Sequence, residues 1–274
     1  MDDMPARGVD EPERPRASAG VNGKDSRAVM DVAVFRLSKR FSRAGETIRY
    51  ELPDGYLEVS AGPAGMASIW DYDLVLMLVS QVTEAMNRYR AGKGAKPGRV
   101  LRPRVTEILN FCRRKRGGKR PDDLVAACLR LNTTHIAMER RAKTEAGRMV
   151  RMAEGEPLIS RYRIILGDTG TPEYIEIEMA EWMYREITAG RSPNVLTVHP
   201  DYFRINLGIG RFVYRLARQS AGTATRGGYS VPFTNTAEAR VRSRSFVGSC
   251  AGLSRRMICR NTAWRRDRDG AARF

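Results

Sequence analysis

The sequence predicts an α+β fold built around a winged-helix domain, with a second, smaller unit after it. Three observations predict it. Periodic segments run in the order helix, helix, helix, strand, charged loop, strand, which is how a winged helix is assembled. A cationic run separates the second helix from the third. The chain carries a net charge of +17, from 48 Lys and Arg against 31 Asp and Glu. Such an excess attracts phosphate polymers by Coulomb force and by counterion release, although part of it is equally at home on a solvated surface.

Residues 1–31 are rich in Pro, Gly, Asp and Arg without periodicity and read as a disordered leader. Residues 47–52 alternate like a strand, Pro53, Asp54 and Gly55 signal a turn, and residues 56–59 alternate again, so a β-hairpin is expected. Ser68 is the expected cap of a helix over residues 69–90, whose apolar side chains Ile69, Leu74, Val75, Leu78, Val79, Val82 and Met86 keep helical spacing. A flexible Gly- and Lys-containing loop follows at 91–98. A short helix is expected over 103–113, with Val105, Ile108, Leu109 and Cys112 on one face and Gly117-Gly118 beyond its end. Pro121 suits the first turn of the next helix, whose inner side chains are Leu124, Val125, Ala127, Cys128 and Leu131.

From Thr133 the residues become β-type, and 134–138 is a strand candidate. Charged residues at 140–148 then form the proposed wing. Strands resume at 158–166 and 174–179 around a turn at 168–170, and a short helix is expected at 182–187. The winged-helix domain therefore spans 32–190. A second unit covers 191–233, with a helix carrying Ile209, Phe212, Val213, Leu216 and Ala217. Residues 234–274 are Arg-rich and aperiodic, as sequence read in a shifted frame would be, and form a basic, poorly ordered tail.

The candidate binding residues are cations. Arg113, Arg114, Lys115, Arg116, Lys119 and Arg120 flank Gly117-Gly118 between the two helix-turn-helix helices, where each exposed charge can neutralise a phosphate. Arg102 and Arg104 sit at the start of the preceding helix, where a cation opposes the helix dipole and an anionic partner would offset it. Arg130 and Asn132 are the best base readers on the third helix. Arg140, Arg141, Lys143 and Arg148 lie in the proposed wing. Arg211, Arg215 and Arg218, spaced by four and three, form a basic stripe opposite the apolar face of the later helix. A solvated turn, hairpin tip or helix face is the alternative for each group.

Signals for bond chemistry are poor. His135 and His199 stand far apart, with no HxH, whereas a nicking enzyme needs a metal-binding histidine cluster near a nucleophilic tyrosine. The loop at 92–98 lacks the spacing of a phosphate-binding P-loop. Asp71, Asp73 and Glu84 read as ordinary helix electrostatics. Cys112, Cys128, Cys250 and Cys259 make no CxxC pair and read as reduced thiols. No secretion signal or eighteen-residue apolar run occurs, so a cytoplasmic protein without a membrane span, metal or cofactor is expected.

Several runs together carry a family resemblance: YELPDGYLEV at 50–59, IWDYD at 69–73, LNFCR at 109–113 with Gly117-Gly118, DYF at 201–203 and YRLAR at 214–218. Over residues 32–230 the chain resembles the replication initiator protein A (RepA-like) family of proteobacterial plasmids. The resemblance implies a non-enzymatic initiator that binds double-stranded DNA at plasmid origin repeats and helps recruit host replication proteins, with a homodimer as one state. It also implies a second winged helix after 191, which the aperiodic tail leaves incomplete. A winged-helix transcription regulator would share every charge feature, a nickase or nuclease would cut DNA with metal, and a basic RNA-binding protein would prefer RNA.

Overall fold

The computed structural model describes residues 23–26, 30, 32–52, 55–114, 120–143, 148–190, 193–223, 265–266 and 272–273. At the centre lies helix α1 (Tyr72–Arg90), preceded by strands β1 (Gly23–Ser26), β2 (Thr47–Leu52) and β3 (Gly55–Ala61). Then come β4 (Val100–Leu101), α2 (Val105–Phe111), α3 (Arg120–Thr133), β5 (Thr134–Lys143), β6 (Met149–Pro157), β7 (Ile159–Leu166), β8 (Pro172–Met179), α4 (Glu181–Thr188), β9 (Val195–Val198), a 3-10 turn (Pro200–Arg204) and α5 (Gly208–Thr223). A two-residue strand pair, Arg265–Arg266 with Ala272–Arg273, lies in the tail.

The expected β2–β3 hairpin is present, with Tyr50 opposite Leu57. Helix α1 begins at Tyr72 rather than Ile69, with Asp71 before it making no side-chain hydrogen bond into the helix. Ser68 instead closes the preceding turn: its hydroxyl accepts from the Asp71 amide, and Asp71 Oδ2 accepts from the Ser68 amide. The helix is buried almost all round from Tyr72 to Val79, so it is the shared wall of the core. Beyond Arg90 the chain leaves through Gly92 at φ 71°, in the left-handed region that glycine adopts without steric cost.

This helix packs on β1, α4 and α2, and two larger antiparallel sheets contribute to the same core. One has the order β2-β3-β5-β6, the other β4-β8-β7. Helix α3 packs on β7, and α2 on β8. After an irregularity at Ile159 and Arg161, strand β7 alternates: Tyr162 and Ile164 pack on the core, and Arg161, Arg163 and Ile165 face solvent.

The charged stretch expected to form the wing is different. Arg140, Arg141 and Lys143 complete strand β5, which pairs with β6 from His135–Pro157 to Lys143–Met149. This hairpin extends the β2–β3 sheet and is not part of the sheet carrying α2 and α3. Strand β6 escaped the sequence reading because its exposed, mixed residues, Arg151 to Gly155, show no alternation. The hairpin that completes the β4-β8-β7 sheet is β7–β8, turning at Gly167–Thr171.

The segment assigned to a second unit shares the first core. Val198, Tyr202, Phe203, Ile205, Phe212 and Leu216 belong to the same buried cluster as Val75 and Ile177. Strand β9 pairs with β1, which lies inside the expected leader. Gly208 lets α5 approach closely: a Cβ there would lie 2.0 Å from the Leu37 carbonyl oxygen. Most of the aperiodic tail, including Cys250 and Cys259, lies outside the described residues.

Candidate nucleic-acid interface

Helix α2 opens at Arg104, whose amide donates to the Glu107 carboxylate at 3.0 Å, a local cap that needs only the sequence between them. The helix ends at Cys112, and Arg113 reverses the chain at φ 51°. Left-handed backbone at a non-glycine residue costs energy. Arg113 is exposed and has no carboxylate partner among the described residues. Arg114 points inward: its Nη2 donates to the Trp70 carbonyl and to Asp73 Oδ2, the latter at 3.2 Å. Lys115, Arg116 and Lys119 lie outside the described residues, and Arg120 is the first residue of α3.

The two expected base readers on α3 are engaged within the protein. Arg130 donates Nε and Nη2 to the two oxygens of Asp71, each at 2.8 Å. Asn132 donates Nδ2 to the carbonyls of Ile159 and Ser160, both at 3.0 Å, fastening α3 to β7. Among the described side chains of α3, Asp122, Asp123 and Leu129 are exposed.

Arg102 donates Nε to Glu176 at 2.7 Å while its side chain stays 59 % exposed. Arg104 lies over the Tyr174 ring at 5.1 Å. Two exposed cations escaped the sequence reading, Arg161 and Arg163, although their i, i+2 spacing within a strand is a signal for one face. Arg161 reaches Glu178 at 3.4 Å, and Arg163 has no carboxylate partner among the described residues. Arg141 and Arg148 are exposed on the β5–β6 hairpin, in the other sheet.

The expected basic stripe on α5 faces the core. Arg211 donates Nη1 to Asp73 Oδ1 at 2.6 Å, and its other nitrogens to the carbonyls of Ile205 and Phe203. Arg215 is fully buried, with Nε on Asp25 Oδ2 at 2.6 Å and its guanidinium over the rings of Phe35 and Tyr72. Arg218 donates Nε to the Thr197 carbonyl on β9. Helical spacing is blind to this: buried carboxylates on α1 and β1 make the "polar" face an inner one.

Burial raises the Asp73 carboxyl above its ordinary value, opposed by Arg211 and Arg114, and does the same to Asp25, opposed by Arg215. At Asp71 burial is outweighed by the hydrogen bonds and charge of Arg130, which hold it below the usual range. Burial pushes the Cys128 thiol up to about 12 and that of Cys112 higher still.

His199 accepts the Asp201 amide on Nδ1 and so caps the 3-10 turn. The His135 ring lies over Gly155, where a Cβ would stand 2.6 Å from its Cε1. Among the described residues no group of three His, Cys, Asp or Glu could hold a metal ion, and no helix is long and apolar enough to cross a membrane.

Comparison with known proteins adds family and fold. A family model described as replication initiator protein A matches residues 24–247. A provisionally named replication protein of Wigglesworthia glossinidia brevipalpis is 24 % identical over 175 residues, which span 63 % of this chain and 60 % of that relative's length. Among solved structures, domains 2 and 3 of RctB superpose with a TM-score of 0.55 at 11 % identity, covering 84 % of this chain and 85 % of that one. A second structure of RctB domains 2–3 gives 0.55 at 12 % identity, covering 81 % of each chain. At such identity the likeness is one of fold.

Proposed function

This chain belongs to the replication initiator protein A family, and from that premise we propose that it initiates plasmid replication by binding duplex DNA at origin repeats through a winged helix, with no covalent step. The observation that carries this reading is the connectivity. Helix α1, strand β4, helices α2 and α3 and the β7–β8 hairpin follow one another as in a winged helix, with the sheet order β4-β8-β7. The β5–β6 hairpin is an insertion between the third helix and the wing.

On this reading the wing is the β7–β8 hairpin, and the cations that meet phosphate are those left exposed. They are Arg113 at the mouth of the α2–α3 turn, Arg104 at the start of α2, and Arg161 and Arg163 on the strand beneath α3. Arg114, Arg130, Arg211 and Arg215 instead hold the fold together, because their guanidinium groups are paired with Asp73, Asp71 and Asp25. Lys115, Arg116, Lys119 and Arg120 add charge at the same turn.

The test is a footprint on the DNA flanking the gene, followed by titration over a range of salt concentrations. Protected repeats that support plasmid maintenance are the expected result. Arg113→Gln and Arg163→Gln should each lower the slope of log affinity against log salt by about 0.9, one counterion per lost phosphate contact. Protection confined to a promoter, or no duplex binding in dilute salt, overturns the reading.

A further inference from the structure

We propose that Asp71 and Asp73 are positioning residues for DNA recognition, anchoring the end of α2 and the last turn of α3 to the start of α1. The inference rests on the duplex-binding reading above. Arg114, two residues past the Cys112 cap of α2, is held by Asp73; Arg130, in the last turn of α3, is held by Asp71. Asp73 is 1 % exposed and Asp71 6 %, while both arginines are 21 % exposed, so each contact is made at the border of the core rather than in open water.

The geometry is that of a fixture. Asp71 takes a two-pronged guanidinium contact, which sets orientation as well as distance. Its own place is set by the reciprocal turn with Ser68. Asp73 offers one oxygen to Arg114 and the other to Arg211, and Arg211 is pinned by two carbonyls. The two carboxylates are two residues apart at the beginning of one rigid helix. They therefore hold the end of α2 and the last turn of α3 in one frame.

Displacing α3 by a fraction of a helical turn separates two quantities. Phosphate attraction is long-range and tolerant of position, whereas base-edge contacts fail when the reader shifts. Loosening the fixture therefore costs sequence discrimination and spares the salt slope.

The experiment uses the full chain and two duplexes of equal length. One is selected from a random library by the wild-type protein; the other is a scrambled duplex. Asp71→Asn, Arg130→Lys and Arg114→Lys are compared by fluorescence anisotropy below their melting temperatures. Arg130→Lys keeps the charge and loses the two-pronged contact, and Arg114→Lys keeps the charge with a shorter reach, so both stay informative if Asp71→Asn does not fold. A roughly tenfold or greater fall in the ratio of selected to scrambled affinity, at unchanged salt slope, is expected. An unchanged ratio in folded variants overturns the inference, as does a salt slope reduced by about one in Arg130→Ala, which would make Arg130 a phosphate contact. Wild-type protein that enriches no sequence and binds neither duplex overturns the duplex-binding reading itself, and is told apart because no substitution is involved.

Discussion

Arg215 and Asp25 meet at 2.6 Å in the closed core, joining α5 to β1 across 190 residues of chain. Neither side chain is more than 1 % exposed. Tyr72 adds a hydroxyl to the same carboxylate at 3.1 Å. The pair explains why a helix with the charge pattern of a surface element turns that face inward.

Removing one partner leaves the other charged and buried, which costs roughly 3–5 kcal/mol in comparable sites. Arg215→Met and Asp25→Leu should each lower stability in urea by an amount in that range. The double variant Arg215→Met with Asp25→Leu should lose markedly less than the two single losses added together. Strict additivity in a double-mutant cycle would show that the two side chains do not interact.

Acid should test Asp71. Its folded value lies below the ordinary 3.8 because Arg130 holds the carboxylate form. The stabilisation is therefore complete above 3.8 and is lost as pH falls through the lower folded value. Asp25 and Asp73 act in the opposite sense, since burial raises their folded values, and their contribution declines as pH rises through those values. The melting-temperature gap between wild type and Asp71→Asn isolates Asp71: it should be constant above pH 5 and shrink below 3.8. A gap independent of pH would refute the pairing.

Thiol reactivity offers a third check. Cys112 and Cys128 are buried, and burial pushes both thiols above their ordinary range, so they stay protonated at pH 8. Treatment of native protein with an aromatic disulfide reagent at pH 8, followed by peptide mass spectrometry, should leave both unmodified. Denaturant should expose both. Rapid native labelling at either position would contradict the packing between α1, α2 and α3.

The elements with strong local signals were legible. The β2–β3 hairpin follows from alternation around Pro53-Asp54-Gly55, and α1, α2 and α3 from apolar spacing and their breakers. Strands β1 and β9 were not, because four residues each of mixed polarity acquire meaning only when Gly23 faces Val198 and Ser26 faces Val195. The β5–β6 hairpin was misplaced for a related reason: charge marks a hairpin as exposed but does not say which sheet it extends.

The sequence alone determined the class of the protein: mixed helix and sheet, an excess of cations, and motifs that identify a replication initiator family. It could not say which cations are available. Arg113 and Arg114 are adjacent and chemically identical, yet one faces solvent and the other is held by Asp73, 41 residues earlier. Arg130, Arg211 and Arg215 likewise find carboxylates 59, 138 and 190 residues away. A guanidinium is attracted by phosphate and carboxylate alike. Only the packing of distant segments decides which anion it meets.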